Sequence, residues 1–71
     1  MGKLLCSEDD CAPDAYEYFA KEFEKLVGIS IYEFKNTVTV IETNYDIIWN
    51  NERYRLVYSC DDPFYRLYEN Y

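Results

Sequence analysis

The sequence predicts an α+β domain: one main N-terminal helix packed on a small antiparallel sheet of about three strands, followed by a short C-terminal helix. Three observations predict it. Residues 12–27 carry apolar side chains at helical spacing, residues 37–59 are rich in alternating β-branched and aromatic residues, and the chain after Asp62-Pro63 returns to helical spacing.

Residues 1–11 read as a lead-in. The helix start follows, with carboxylates at Asp9 and Asp10 and Pro13 in the first turn, where its missing N–H does no harm. At 100° per residue, Ala12, Ala15, Tyr16, Phe19, Ala20, Phe23, Leu26 and Val27 share one stripe about 140° wide. Gly28 supplies the stop, so a helix is expected over about residues 13–27. The opposite face holds Asp14, Glu17, Lys21, Glu24 and Lys25, with Glu17 and Lys21 spaced for an i, i+4 pair. Tyr18 falls outside the stripe, beside Glu22 and Lys25, and is the first candidate contact residue on this helix.

Residues 29–36 admit two readings. Ser30-x-x-Glu33 fits a capping box. Ile29/Ile31 alternation with Lys35-Asn36 as a turn fits a strand. The capping box tips the balance to a short helix or turn. Strands are expected over 37–43, 45–49 and 53–59. Asn50-Asn51 reads as a two-residue hairpin turn, which pairs Ile48 with Arg53, Ile47 with Tyr54, Asp46 with Arg55 and Tyr45 with Leu56. That register puts Tyr45, Ile47, Trp49, Tyr54, Leu56 and Tyr58 on one face and sets Asp46 against Arg55 on the other. In the tail, Asp62 as N-cap and Pro63 at the first helical position predict a helix over about 63–70. Phe64, Leu67, Tyr68 and Tyr71 then share a face, and Tyr65 falls off it.

Seventy-one residues allow one domain, spanning 1–71, and only a modest core. The chain has 14 Leu, Ile and Val, while nine of its apolar residues are Tyr, whose buried hydroxyls need partners. So thin an aliphatic supply makes burial across a dimer or partner interface a reasonable expectation. MGKLLCSEDD turns acidic before an apolar signal segment forms, and no apolar run approaches the ~18 residues of a membrane span. A soluble, cytoplasmic protein with no membrane contact is expected. Its three cysteines, Cys6, Cys11 and Cys60, are then reduced.

Catalytic machinery is not expected. The chain has no His, which removes the commonest general base, nucleophile activator and metal ligand. It has two Gly, too few for a phosphate-cradling loop. Cys6, Cys11 and Cys60 lack both tight spacing and a fourth Cys or His, so free thiols are expected rather than zinc, and no cofactor is expected. The carboxylates of Glu8-Asp9-Asp10 and Asp61-Asp62 have no visible groups to tune them.

The net charge is −7, from 14 acidic and 7 basic residues. Direct nucleic-acid binding is therefore not expected, since phosphate affinity comes from Lys and Arg. A charged partner should be basic, which includes proteins whose own surfaces bind DNA or RNA. In size and charge the chain is similar to the small acidic proteins that phages and mobile elements direct at host nucleases, repair enzymes or CRISPR effectors, some of them DNA mimics. That resemblance is compositional and rests on no motif. It implies an inhibitor that occupies a basic surface. The partner-binding residues would be Glu8, Asp9, Asp10, Asp14, Asp61 and Asp62, with Tyr18 and Tyr65 as aromatic contacts. The alternative is a structural or accessory subunit, acting as a homodimer, whose tyrosines complete a shared core.

Overall fold

The computed structural model describes residues 2–10, 12–43, 45–59 and 63–69. Seven elements follow in order: β1 (Lys3–Glu8), α1 (Pro13–Val27), α2 (Ile31–Thr37), β2 (Thr39–Thr43), β3 (Asp46–Asn50), β4 (Tyr54–Ser59) and β5 (Phe64–Glu69). The strands form one sheet in the order β1-β5-β4-β3-β2, antiparallel at every junction. The chain leaves one edge at β1, crosses through both helices to the far edge at β2, and returns as a meander that ends beside β1.

This corrects the expected fold, which had three strands and a C-terminal helix. The helix expected over 63–70 is the strand β5, and the supposed lead-in contributes the strand β1. The physical reason is tertiary. β5 lies between β4 and β1, so both of its backbone edges are hydrogen-bonded. A helix over these residues would leave the facing edges of β4 and β1 unpaired. Leu67 is fully buried opposite Leu56 and Cys6. Arg66 points to the other face. There its guanidinium lies 3.9 Å from the centre of the Phe64 ring, and its Nη2 is 3.6 Å from Asp9 Oδ1.

α1 starts with Pro13 in its first turn and has no side-chain cap; instead, Asp10 Oδ1 accepts the N–H of Ala12 at 2.9 Å, one residue outside the helix. It ends at Gly28, whose φ of 91° is the left-handed conformation that glycine adopts without penalty. The Gly28 N–H donates to the Glu24 carbonyl at 2.9 Å. In α2, the Ser30 hydroxyl accepts the N–H of Glu33 at 3.2 Å, so the helical reading of this segment holds and the strand reading does not.

The β3–β4 hairpin has a different register from the expected one. Asn50 pairs with Arg55, Trp49 with Leu56 and Ile47 with Tyr58, while Asp46 faces Ser59 rather than Arg55. The turn is longer than Asn50-Asn51. Asn51 Oδ1 accepts backbone N–H groups from Arg53 at 2.8 Å and Tyr54 at 2.6 Å, and Asn51 N–H donates to the Tyr54 carbonyl. A side chain that satisfies two turn donors stabilises this wider loop. A two-residue turn would instead need positive φ at both asparagines. The slip is an even number of residues. Ile47, Trp49, Tyr54, Leu56 and Tyr58 therefore stay on one face, while the Asp46–Arg55 pairing is lost.

Both helices cover one face of the sheet. The core consists of Phe19 and Phe23 from α1, Ile31 and Phe34 from α2, and Leu56 and Leu67 from the sheet. Leu5, Cys6, Val38 and Trp49 pack around it. The register shift between Leu4 and Cys6 is a bulge in β1, and both Leu5 and Cys6 pack against the core there. Among the described residues, no buried side-chain polar atom lacks a hydrogen-bond partner.

Candidate functional site

The strand registers bring a set of carboxylates to one end of the molecule. Glu8 closes β1 opposite Tyr65, and Tyr65 faces Tyr58, which faces Ile47, which faces Glu42. Asp46 opens β3 one residue further along. Asp9 and Asp10 follow Glu8, and Asp14 sits in the first turn of α1, where a negative charge complements the helix dipole. Glu8, Asp9, Asp10 and Asp14 are thus gathered at this end. Glu42 and Asp46 join them, two acids the sequence reading did not include. The expected hairpin register sets Asp46 against Arg55, and only the sheet order shows that the end of β2 lies level with the end of β1. The row from Glu8 to Glu42 spans four strand spacings, on the order of 19 Å. Among the described residues Arg66 is in ion-pair contact with the group, through Asp9. Both side chains are substantially exposed, so this pair contributes little stability. Asp61 and Asp62 lie outside the described residues.

The two candidate tyrosines occupy different environments. Tyr18 is 61% exposed on the outer face of α1. It borders an open depression of about 480 Å³ lined by Lys21, Glu22, Glu24 and Lys25. Among the described residues one helix supplies the walls, and Lys25 Nζ lies 3.5 Å from Glu22. Tyr65 is half-buried. Its ring centre lies 5.1 Å from that of Tyr16, 5.5 Å from that of Phe19 and 4.9 Å from that of Tyr58. Tyr65 therefore joins the helix layer to the sheet, and only part of it is open to a partner.

The same aromatic seam holds Lys35. Its Nζ lies 4.4 Å from the centre of the Trp49 ring and 5.7 Å from that of Tyr16. Burial lowers its pKa from the usual lysine value. Burial, followed by a hydrogen bond with Tyr32, pushes the Tyr16 phenol up to about 12. Tyr16 and Lys35 are thus both placed by packing on rings, and the raised Tyr16 phenol keeps its proton near neutral pH.

The opposite sheet face is uncovered by helices. Its central row runs Ile41, Ile48, Val57 and Arg66 across four strands. A shallow cavity of about 270 Å³ lies there, lined by Gly2, Ile48, Arg55, Val57 and Tyr68. Within the described strands this face carries Arg55 and Arg66 against Asp46.

Cys6 is half-buried, and its thiol is pushed up to about 11, first by burial and then by the Glu22 charge. A shift from 9.0 to about 11 leaves roughly a hundredfold less thiolate at pH 8 than in the unfolded chain. In a Cys11→Ser/Cys60→Ser variant, iodoacetamide should therefore alkylate Cys6 about a hundredfold more slowly in buffer than in urea. Equal rates would show the thiol to be unshielded. The protonated form is favoured on folding, so this contribution is intact below pH 9 and is lost as pH rises towards 11. Cys11 and Cys60 lie outside the described residues, among which no group of three His, Cys, Asp or Glu side chains could hold a metal ion. Among the same residues, no helix is long and apolar enough to cross a membrane.

No protein-family model, no curated protein and no solved structure matches this chain.

Proposed function

We propose that the protein is a small acidic protein-binding module, an antagonist that occupies the basic surface of a nucleic-acid-binding enzyme or effector. Its carboxylates would stand where phosphates bind. The observation that carries the proposal is the convergence of Glu8, Asp9, Asp10, Asp14, Glu42 and Asp46 at one end of a sheet that fixes their spacing. In a chain of net charge −7, such an end presents a negative field that steers a basic partner. Tyr18, exposed on α1, would add aromatic contact area of the kind that dominates binding energy.

The test has two stages. Capture from host lysate followed by mass spectrometry supplies the partner. The affinity of the purified pair is then measured against salt. Affinity should fall at least tenfold between about 50 and about 500 mM salt. Asp9→Asn/Asp10→Asn/Asp14→Asn should weaken binding by about tenfold or more while the thermal midpoint stays near that of the parent. A salt-independent affinity, or a variant that binds as the parent does, removes the electrostatic reading.

A second reading, a structural or accessory subunit working as a homodimer, is favoured by a separate observation. The helices cover one sheet face only, and Ile41, Ile48 and Val57 form an apolar row on the other.

A further inference from the structure

The two edges of the sheet are built differently. β1 forms one edge, and it is blunted: Lys3 opens it and the bulge between Leu4 and Cys6 interrupts its register. Charged residues and bulges are the usual devices that stop an edge strand from pairing with another chain. β2 forms the other edge; it has no bulge, and its single charge is Glu42. Its sequence, Thr39-Val-Ile-Glu-Thr43, contains no Pro, Gly or Lys, and it pairs with β3 in an unbroken register. All five residues are exposed, including Val40 at 47% and Ile41 at 43%. Among the described residues no segment pairs with its outer side, so a row of backbone donors and acceptors faces solvent.

The geometry points to a second copy of this chain as the occupant of that edge, joined by antiparallel β2–β2 pairing about a two-fold axis at Ile41. This inference deepens the homodimer reading and is independent of the proposed antagonism. The strand is its own complement in this register. Thr39 lies opposite the partner's Thr43, Ile41 opposite the partner's Ile41, and Val40 opposite the partner's Glu42. Thr–Thr and β-branched pairs are favourable across strands. A register centred one residue later would set Glu42 against its own copy, and like charges directly opposed are destabilising.

The pairing also acts on the open face. Ile41, Ile48 and Val57 form one row across β2, β3 and β4. Joining two copies at Ile41 makes that row continuous through the axis, from Val57 of one protomer to the partner's Val57. The product is a ten-stranded sheet with its helices on one side. The net charge of −7 on each copy opposes the association at long range. Salt screens that repulsion and leaves the backbone pairing intact.

The test is self-association measured by sedimentation velocity from about 10 to about 500 µM, at about 20 and about 500 mM salt. The parent should form dimers, and more tightly at high salt, opposite in sign to the salt effect on a basic partner. Ile41→Lys should weaken dimerisation at least tenfold with an unchanged circular dichroism spectrum. In the parent, alternate backbone amides of residues 39–43 should exchange at least tenfold more slowly at the high concentration than at the low one. That measurement needs no variant. A parent that stays monomeric throughout, a dimer that Ile41→Lys leaves intact, or a dimer without new protection in β2 would each overturn the inference. None of these outcomes bears on whether an acidic end binds a basic protein.

Discussion

Phe23→Ala is expected to cost about 3–5 kcal/mol, a large part of the stability of so small a domain. Phe23 is fully buried, with its ring edge-on to Phe34 at 5.1 Å and 6.4 Å from Phe19. It therefore joins α1 to α2 and both helices to the sheet. Truncation leaves a void between layers that are held apart by Phe19, Phe34, Leu56 and Leu67 and cannot close over it. Among the described residues the core has six fully buried side chains, so one of them is a large share of it. A domain of 71 residues has a total stability on the order of 4–10 kcal/mol. Urea unfolding followed by near-ultraviolet circular dichroism measures the loss. A cost under about 1 kcal/mol would show that the two helices are not locked together through this ring. The contrast is Tyr18→Ala on the outer face of the same helix, which should change stability by no more than about 0.5 kcal/mol.

The elements legible in the sequence are those whose signals are local. The stripe from Ala12 to Val27, ended by a glycine, is complete within one helix, and the Ser30–Glu33 cap needs four residues. The faces of β3 and β4 could be read from period-two alternation, and the even-numbered register error left them intact. What failed was long-range. Phe64, Leu67 and Tyr68 satisfy a helical stripe, whereas in a strand Phe64 and Tyr68 face away from Leu67, so the local pattern between residues 63 and 70 points to the helix. The decision comes from β1, some sixty residues earlier, which supplies the second neighbour of β5. β1 itself, KLLCSE, is short and lacks alternation because of its bulge, so it carries almost no strand signal. The candidate site divides along the same line. Glu8, Asp9, Asp10 and Asp14 are neighbours in the chain and were found together. Glu42 and Asp46 join them only through the sheet order. Tyr65 was singled out because it falls off a helical stripe that does not form, and in β5 it points into the aromatic seam.

Leu67 is where this correction has its greatest energetic consequence. It is fully buried in β5, one strand in from the β1 edge, and faces Leu56, also fully buried. Leu67→Ala should cost about 2–5 kcal/mol, because α1 above and the strands on either side restrict collapse of the cavity. A docked helix over 63–70 would also bury Leu67, so that loss alone does not separate strand from helix. Valine substitutions do. Leu56→Val and Leu67→Val each remove one methylene and should cost about 1 kcal/mol, small enough for both single variants and the double variant to remain folded. Valine is a good strand residue and a poor helix residue, so in β5 it keeps its backbone preference. In the register observed, the two side chains are direct cross-strand neighbours and share one cavity. The double variant should therefore depart from additivity by about 0.5 kcal/mol or more. Strict additivity would mean that the two leucines do not touch. β5 would then lose its place between β1 and β4, and with it the alignment that carries Glu8, Glu42 and Asp46 to a common end.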